Sequence, residues 1–396
     1  MSTATRARVP TPAPAAPLPA AHPMTGLGAM ARFVVRRNRV RLAAWWLTIV
    51  GLFAYVMVYY RDILDNQAAL DDFASVSNVP SIKALTGLAA APNTLGGAVW
   101  TKIWMTCTLA LAFGIVFLVT RNGRADEEVG RTELLRSRML GQHAASVATW
   151  LVLAGLSVAI GASMALASIL GGLDPAGTGV TGSLVLGAST AGIGLVAIGI
   201  GALAGQLAST GRGANALGST LLGLAYLLRM IGDLGDGRLT WASPVGWAQQ
   251  MQPWGANRWW PLLLMLGLLI GLLALTLRLE ARRDLGAGLL PERPGRAGAP
   301  ARWTSPLGLG LRLQRLPIVG WTLTVALCGF MFGSVVTSMA DLLSDAGGAV
   351  NQLIRGTGID ALLSMLLMMI GIVTTAFAIQ SATSLRADEA SGIIEP

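Results

Sequence analysis

The amino-acid sequence predicts an all-α fold, a polytopic bundle of transmembrane helices. Of its 396 residues, 53% are hydrophobic and only 12% are charged, which is more apolar surface than a water-facing fold of this size can bury. Several uncharged windows of about 19 to 25 residues are long enough to cross the hydrocarbon as helices, at about 1.5 Å per residue. The basic residues collect in alternate loops between these windows, as they do in membrane proteins.

Eight windows are predicted to span the membrane, because each is long enough and apolar enough to do so. Their approximate limits are residues 42–60, 102–120, 144–170, 183–208, 214–232, 260–279, 317–338 and 359–380.

The first 29 residues are predicted to form a disordered cytoplasmic tail. The proline-rich run from Thr11 to Pro23 cannot hold a helix, and no apolar core or small-residue cleavage site indicates a signal peptide. The next segment, Met30 to Trp46, interleaves five arginines with apolar residues. It predicts an elbow helix that lies in the headgroup layer and turns into the membrane; the alternative is a plain basic flank to the first span.

The distribution of Arg and Lys predicts which loops are cytoplasmic, because positive loops are retained on the inner side. Seven of these residues precede the first span, five lie in residues 121–143 and seven in residues 280–316, whereas the opposite loops are poor in them. We therefore expect a protein of the plasma (inner) membrane, with the lipid bilayer as a partner and a cytoplasmic N-terminus. This arrangement accounts for the net charge of +9 without any nucleic acid.

Neither a cofactor nor a metal is predicted for this chain. Cys107 and Cys328 fall inside predicted spans, and the two histidines are His22 in the tail and His143 in a loop. Disulfides, haem ligation and a zinc site are therefore disfavoured. Since no span presents clustered catalytic side chains, we expect a transport subunit and not an enzyme.

The sequence also repeats itself weakly. Arg124 to Glu127 recur as Arg386 to Glu389 at an offset of 262 residues, and a second match at an offset of 276 precedes the seventh span. Chance is the alternative, but the matches fall at corresponding points of the two halves, one before the first span and one after the second, so duplication is favoured. The second match pairs Arg36, Arg39 and Trp45 with Arg312, Arg315 and Trp321, and the first continues from Gly130 and Glu133 to Gly392 and Glu395.

The repeat predicts two halves. Residues 30–285 form a first six-span repeat with the elbow helix, residues 286–311 a cytoplasmic linker rich in Pro, Gly and Arg, and residues 312–396 the start of a second repeat with two spans. The second half is then expected to be truncated, since a complete twelve-span protein would have about 530 to 560 residues.

The energy source for transport is predicted to lie outside this chain. A phosphate-binding loop needs Gly-Lys-Ser/Thr, and the only lysines are Lys83 and Lys102, neither in such a loop. All twenty acidic residues lie in loops or at span ends, with Asp360 nearest to a membrane interior, so we expect no buried carboxylate to carry a proton or bind sodium. An ion-coupled secondary transporter, with its ionisable group in spans absent from this sequence, and a non-transport assembly protein stay open as alternatives.

The loop from Thr120 to His143 is the most charged cytoplasmic loop and predicts a docking element. Its acidic trio Asp126, Glu127 and Glu128 is followed by basic residues, and Glu127 to Arg131 has the i,i+4 spacing that supports a short helix. Such a coupling helix would seat in a groove on a soluble partner. A solvated loop whose charges only orient the bundle is the alternative.

Two features of the spans and the outer loops leave alternatives open. The five tryptophans between Thr240 and Pro261 indicate either an interfacial aromatic belt or a re-entrant helix at an outer gate. Arg229 inside the fifth span could pair with Asp233 or snorkel to the interface. Gly201 and Gly205 in the fourth span have the GxxxG spacing of close helix packing.

Three stretches together carry a family resemblance: TRNGRADEEVGRTELLRSRMLGQHA, STGRGANALGSTLLGLAYLLRMIGD and SPVGWAQQMQPWGANRWWPLL. The chain resembles the permeases of actinobacterial ABC-2 type exporters of the polyketide-antibiotic and multidrug efflux type, over most of residues 30–290 and more loosely over 312–396. It departs from that family by ending at Pro396, which places a closed translocation path in doubt.

The resemblance implies a permease that moves hydrophobic or amphiphilic compounds out of the cell, powered by a separate ABC ATPase subunit, expected as a homodimer, which would hold ATP and Mg. It also implies which residues lie at the ATPase interface. These are Arg124, Asp126, Glu127, Gly130, Arg131 and Glu133 in the first half and Arg386, Asp388, Glu389 and Glu395 in the second, to which the acidic trio adds Glu128.

Overall fold

The computed structural model describes residues 22–77, 83–84, 86–131, 140–282, 288–289 and 305–315, together with short pieces between 318 and 383. In this part of the chain every regular element is helical. The helices are α1 Leu27–Ile63, α2 Gln67–Ser77, α3 Leu95–Val99, α4 Met105–Asn122, α5 Arg124–Glu128, α6 Ala144–Leu170, α7 Thr181–Leu207, α8 Gly211–Leu234, α9 Pro244–Gln249, α10 Trp260–Arg282 and α11 Pro306–Leu313, with a π-helical turn at Trp100–Trp104 and a 3-10 turn at Leu239–Ala242.

Six helical segments of the described residues are long and apolar enough to cross a membrane. This confirms the all-α polytopic fold, and α6 has the limits predicted for the third span. The predicted spans 317–338 and 359–380 lie largely outside the described residues. The six segments are Leu27–Ile63, Leu95–Glu128, Ala144–Leu170, Thr181–Leu207, Gly211–Leu234 and Trp260–Arg282.

The basic segment before the first span does not form a separate elbow helix. The 37 residues of α1 form one helix, about 55 Å long at 1.5 Å per residue, so the predicted turn between Met30 and Trp46 is absent. This stretch holds no Gly or Pro to interrupt a helix. In its middle, the Asn38 amide donates to the Val34 carbonyl and, at 2.8 Å, to Asn122 Oδ1, so the polar turn is tied to the end of α4.

Helix α7 lies at the centre of the bundle and packs against α4, α6, α8 and α10. Its closest approach is to α6, where a Cβ at Gly187 would lie 2.5 Å from the Gly161 carbonyl oxygen and a Cβ at Gly161 would lie 2.3 Å from the Gly187 oxygen. Close packing was predicted for this span at Gly201 and Gly205. There the fit is looser, since a Cβ at Gly201 would lie 3.1 Å from Val119 and one at Gly205 would lie 3.9 Å from Arg124.

We predict that Gly187→Ala lowers the stability of the bundle, because the new methyl group would force α6 and α7 apart. The expected loss is about 1–3 kcal/mol, the usual cost of overpacking, and thermal unfolding of the full chain in detergent measures it.

The matched control is Gly155→Ala on α6, where a Cβ would meet nothing within 4 Å. Alanine is the better helix former, so this variant should unfold at the same or a slightly higher temperature than the original protein. Equal destabilisation of the two variants would contradict the close α6–α7 contact.

Candidate functional site

The predicted coupling loop begins with a sharp break after the second span. Helix α4 ends at Asn122, Gly123 leaves the helical conformation, and the five residues of α5 follow at Arg124–Glu128. Gly130 then adopts φ +71, a left-handed conformation that glycine takes without a Cβ clash. The predicted helix is therefore present, but within the described residues it is short.

The charges of α5 pair differently from the prediction. Glu127 Oε2 lies 2.9 Å from Arg124 Nη1, and Arg131 Nη1 lies 3.1 Å from Asp126 Oδ1. The predicted i,i+4 pair of Glu127 with Arg131 is wrong, because α5 ends at Glu128 and the turn at Gly130 removes the helical spacing.

Arg124 ties α5 to the linker between α7 and α8. Its side chain is buried, and its Nε donates to the Ser209 carbonyl oxygen at 2.8 Å while Nη2 donates to the same oxygen. A third contact runs from Nη1 to Glu127. A guanidinium removed from water requires such partners, so Arg124 holds the loop in place and points into the bundle.

Asp126 ties α5 to α1. Arg37 Nη2 donates to Asp126 Oδ1 at 2.8 Å, and Arg37 Nη1 donates to the other carboxylate oxygen, which makes the pair bidentate. Asp126 is 6% exposed, and bidentate pairs with arginine are among the stronger polar contacts in proteins. The coupling loop is thus connected to a helix almost 90 residues earlier in the chain.

Glu128 ties α5 to the start of α8. Its Oε2 accepts a hydrogen bond of 2.9 Å from the backbone N–H of Gly211, the first residue of that 24-residue helix. Negative charge at a helix N-terminus is favourable. The approach depends on glycine, since a Cβ at Gly211 would lie 3.1 Å from Ala125 Cβ.

The predicted interface residues therefore divide into two groups. Arg124 and Asp126 are buried against the same chain, Glu127 and Gly130 are half-buried, and Glu128 and Arg131 are exposed. Together with the exposed Arg121 and Val129, which were not predicted, Glu128 and Arg131 form what we term the cytoplasmic patch, after the orientation expected from the sequence. Sequence reasoning missed Arg37, Ser209 and Gly211; the arginine cluster of α1 was the one available signal. The predicted residues Glu133, Arg386, Asp388, Glu389 and Glu395 lie outside the described residues.

Buried carboxylates occur at three helix ends, so the expectation of none is wrong. Asp126, Asp233 and Glu280 are each less than 9% exposed. Glu280 near the end of α10 lies 3.1 Å from His143 Nδ1 and accepts a hydrogen bond of 3.2 Å from Ser146. The positions at helix ends agree with the prediction, but tertiary packing removes the carboxylates from water.

At the other end of the bundle, Arg229 pairs with Asp233 and does not snorkel. Arg229 is fully buried, its Nη1 lies 3.2 Å from Asp233 Oδ2, and its guanidinium sits 4.5 Å from the centre of the Tyr226 ring. The segment after α8 brings Thr240 and Gln249 back to the same carboxylate, which accepts their hydrogen bonds at 2.8 and 2.9 Å.

The tryptophan-rich segment lies partly at the surface, as the aromatic-belt alternative predicts, and partly inside the bundle. Trp259 and Trp260 are 45% and 48% exposed, as an aromatic belt requires. Trp254 instead lies inside the outer end, where a Cβ at Gly96 or Gly182 would fall within 2.4 Å of its indole ring, and its Nε1 donates to Asp174 at 2.9 Å. The segment is therefore an integral part of the outer end of the bundle.

The chain is similar in sequence to known membrane transport proteins. The family described as "Multidrug efflux system permease Rv1217c, C-terminal domain" matches residues 303–396. The chain is also 36% identical over 372 residues to "Multidrug efflux system permease protein Rv1217c" of Mycobacterium tuberculosis. That alignment covers 92% of this chain and 66% of the relative, so the chain spans just under two thirds of the relative's length.

We predict that Arg37 and Asp126 are energetically coupled. Arg37→Ala should cost about 1–3 kcal/mol, because it leaves a buried carboxylate with fewer partners, whereas the double variant with Asp126→Ala should cost less than the sum of the single variants. Chemical or thermal unfolding in detergent measures the cycle. Arg36→Ala, at the exposed neighbouring position, is the control; strictly additive effects would refute the coupling.

We predict that Asp233→Ala destabilises this end of the bundle by about 3–5 kcal/mol, because it removes the carboxylate that balances the charge of a buried guanidinium. Asp236→Ala is the matched control, since the side chains of Asp236 and its partner Arg238 are 65% and 90% exposed and such pairs contribute less than about 1 kcal/mol. Unfolding midpoints compare the two variants, and similar midpoints would rule out a structural role for the Arg229–Asp233 pair.

Proposed function

We propose that this chain, which belongs to the family of multidrug efflux system permeases, is the membrane-spanning permease of an exporter. It moves hydrophobic or amphiphilic, drug-like compounds out of the cell. The observation that carries the proposal is the 36% identity to a multidrug efflux permease along 92% of the chain. The six apolar helices of spanning length support it, because they provide the membrane-embedded bundle that a permease requires.

The proposal assigns the energy source to a separate ABC ATPase, expected as a homodimer that holds ATP and Mg. Its support from this chain is chemical: the two lysines, Lys83 and Lys102, do not stand in a Gly-Lys-Ser/Thr loop, so the 396 residues offer no P-loop for a nucleotide phosphate. The N-terminus would be cytoplasmic, as would the cytoplasmic patch on which the ATPase docks.

The ties of α5 suggest how a push from the ATPase would reach the spans. Arg37–Asp126 connects α5 to α1, Arg124 connects it to the linker at Ser209, and Glu128 connects it to α8. A segment held at three points moves with the elements that hold it. The buried charges would then transmit the motion, and the exposed residues of the cytoplasmic patch would receive it.

Two repeated halves form part of the proposal, with residues 30–285 as the first repeat, 286–311 as the linker and 312–396 as the start of the second. A side-chain arrangement supports it. In the first half, the Trp45 ring lies over Gly114 of α4, where a Cβ would be 2.8 Å from the ring. In the second half, the matching Trp321 donates to Gln380 at 2.5 Å and contacts Phe377, so each tryptophan contacts the second span of its half.

Ion coupling is the second candidate, and the buried pair of Glu280 with His143 is the observation that favours it. A carboxylate and an imidazole in contact could exchange a proton during transport. The ATP-driven mechanism accounts for the same pair as a contact between α10 and the start of α6. Drug transport by inverted vesicles separates the two candidates: it should require ATP and the partner ATPase, and transport by a proton gradient without ATP would overturn the ATP-driven mechanism.

Val129→Asp tests the docking surface without disturbing the ties of α5. Val129 is 61% exposed and lies in the cytoplasmic patch. A charge buried in an interface without a partner should cost tenfold or more in affinity, at least about 1.4 kcal/mol. We expect the variant to lose co-purification of the ATPase and ATP-driven transport while keeping its unfolding temperature.

The control is Val180→Asp, a valine that is 43% exposed in the loop on the opposite side of the bundle. It carries the same substitution and should retain both the ATPase and transport. Identical behaviour of the two variants would remove the cytoplasmic patch from the docking surface.

A further inference from the structure

A small cavity lies directly under the coupling helix α5. Its volume is about 40 Å³; it is partly open and is lined by the ends of α4, α6 and α7 together with Arg124 and Glu127. The space exists in part because Gly201 and Gly205 of α7 present no side chain toward it. The lining is half polar in character, which separates this cavity from the apolar interior of the bundle.

Two polar atoms among the residues that line the cavity have no hydrogen-bond partner within the described part of the chain. They are Thr120 Oγ1 and Gln206 Oε1, on side chains of residues that are 1% and 8% exposed. Leaving such atoms unpaired in a protein interior is unfavourable, and most buried polar groups are paired with protein or with ordered water. The neighbouring Thr149 differs, since its hydroxyl donates to the Ala145 carbonyl at 3.0 Å.

We propose that this cavity is a hydration site, in which ordered water bonds to Thr120 and Gln206 beneath α5. The volume exceeds the roughly 10–15 Å³ that one water requires, and the polar lining offers the two to four partners that a buried water needs. A free ion is the less suitable occupant, because Arg124 and Glu127, which border the same space, already balance each other's charge at 2.9 Å.

Hydration changes the nature of the contact between α5 and the bundle. Side chains that interlock resist sliding, whereas a water can exchange hydrogen-bond partners as its neighbours shift. This consequence rests on the proposed function. The coupling helix α5 would then move over a polar contact at the end of α7 that contains water. The hydration itself does not depend on transport and is tested without it.

Thr120→Val decides whether the cavity is wet or dry, because it removes the hydroxyl with little change of shape. If water binds there, the substitution deprives that water of a partner, and the unfolding temperature of the full chain in nanodiscs should fall by about 2–4 °C. If the cavity is dry, the substitution removes an unpaired polar atom, and the unfolding temperature should rise.

Thr190→Val is the matched control, since Thr190 is fully buried on α7 and its hydroxyl donates to the Leu186 carbonyl at 3.0 Å. This variant reports the effect of losing a hydroxyl that is paired within the protein, so a fall for Thr120→Val of similar size indicates a paired hydroxyl there too. A rise of the unfolding temperature of Thr120→Val above that of the original protein overturns the proposal.

A double-variant cycle with Gln206→Met tests whether the two residues share their water. A shared water predicts that the second substitution costs less than the first, because the water has already lost a partner. Strictly additive shifts overturn the bridging arrangement. Both experiments read unfolding alone, so failure of the hydration site and failure of the exporter assignment give separate results.

Discussion

The structure depends on one constraint: a polar group that leaves water at the end of a transmembrane helix must find its partner within the chain. At one end of the bundle, Arg229 is satisfied by Asp233, which in turn gathers Thr240 and Gln249 from the segment that follows. At the other end, Arg124 and Asp126 find Ser209 and Arg37. The helices between these two polar layers are apolar, so the layers determine how the helix ends are joined.

The apolar middle is organised around α7, and its packing follows from residue size. Between helices in lipid there is little hydrophobic driving force, so association relies on close van der Waals contact, which small residues permit. The carbonyl oxygens of Gly161 and Gly187 occupy the space where each partner's Cβ would stand. Helix α7 is thereby held against four neighbours, whereas the short helix α5 packs against α4 and α8.

The charged loop illustrates how the same residues serve structure and, in the proposed exporter, communication. A loop whose charges were unpaired would be flexible, so a displacement of the loop by the ATPase would not move the spans. Here the charges bind within the chain, to α1, to the linker at Ser209 and to α8, while Val129 faces outward. The buried contacts and the exposed surface thus lie together on the five residues of α5 and the turn that follows it.

Within the described residues, the sequence by itself determined the six apolar helices of spanning length, because an apolar run of about 20 residues or more in lipid can satisfy its backbone only as a helix. Residues 144–170 were placed to the residue, and the family was indicated by the charged loop and its companion stretches. Tertiary structure alone decided that α1 runs unbroken, that Gly187 and not Gly201 makes the closest contact, and that Asp126 binds Arg37 instead of solvent. A helix signal is local in sequence, whereas the partner of a charge is whichever group the folded chain brings within about 3 Å, and those groups lie tens of residues away.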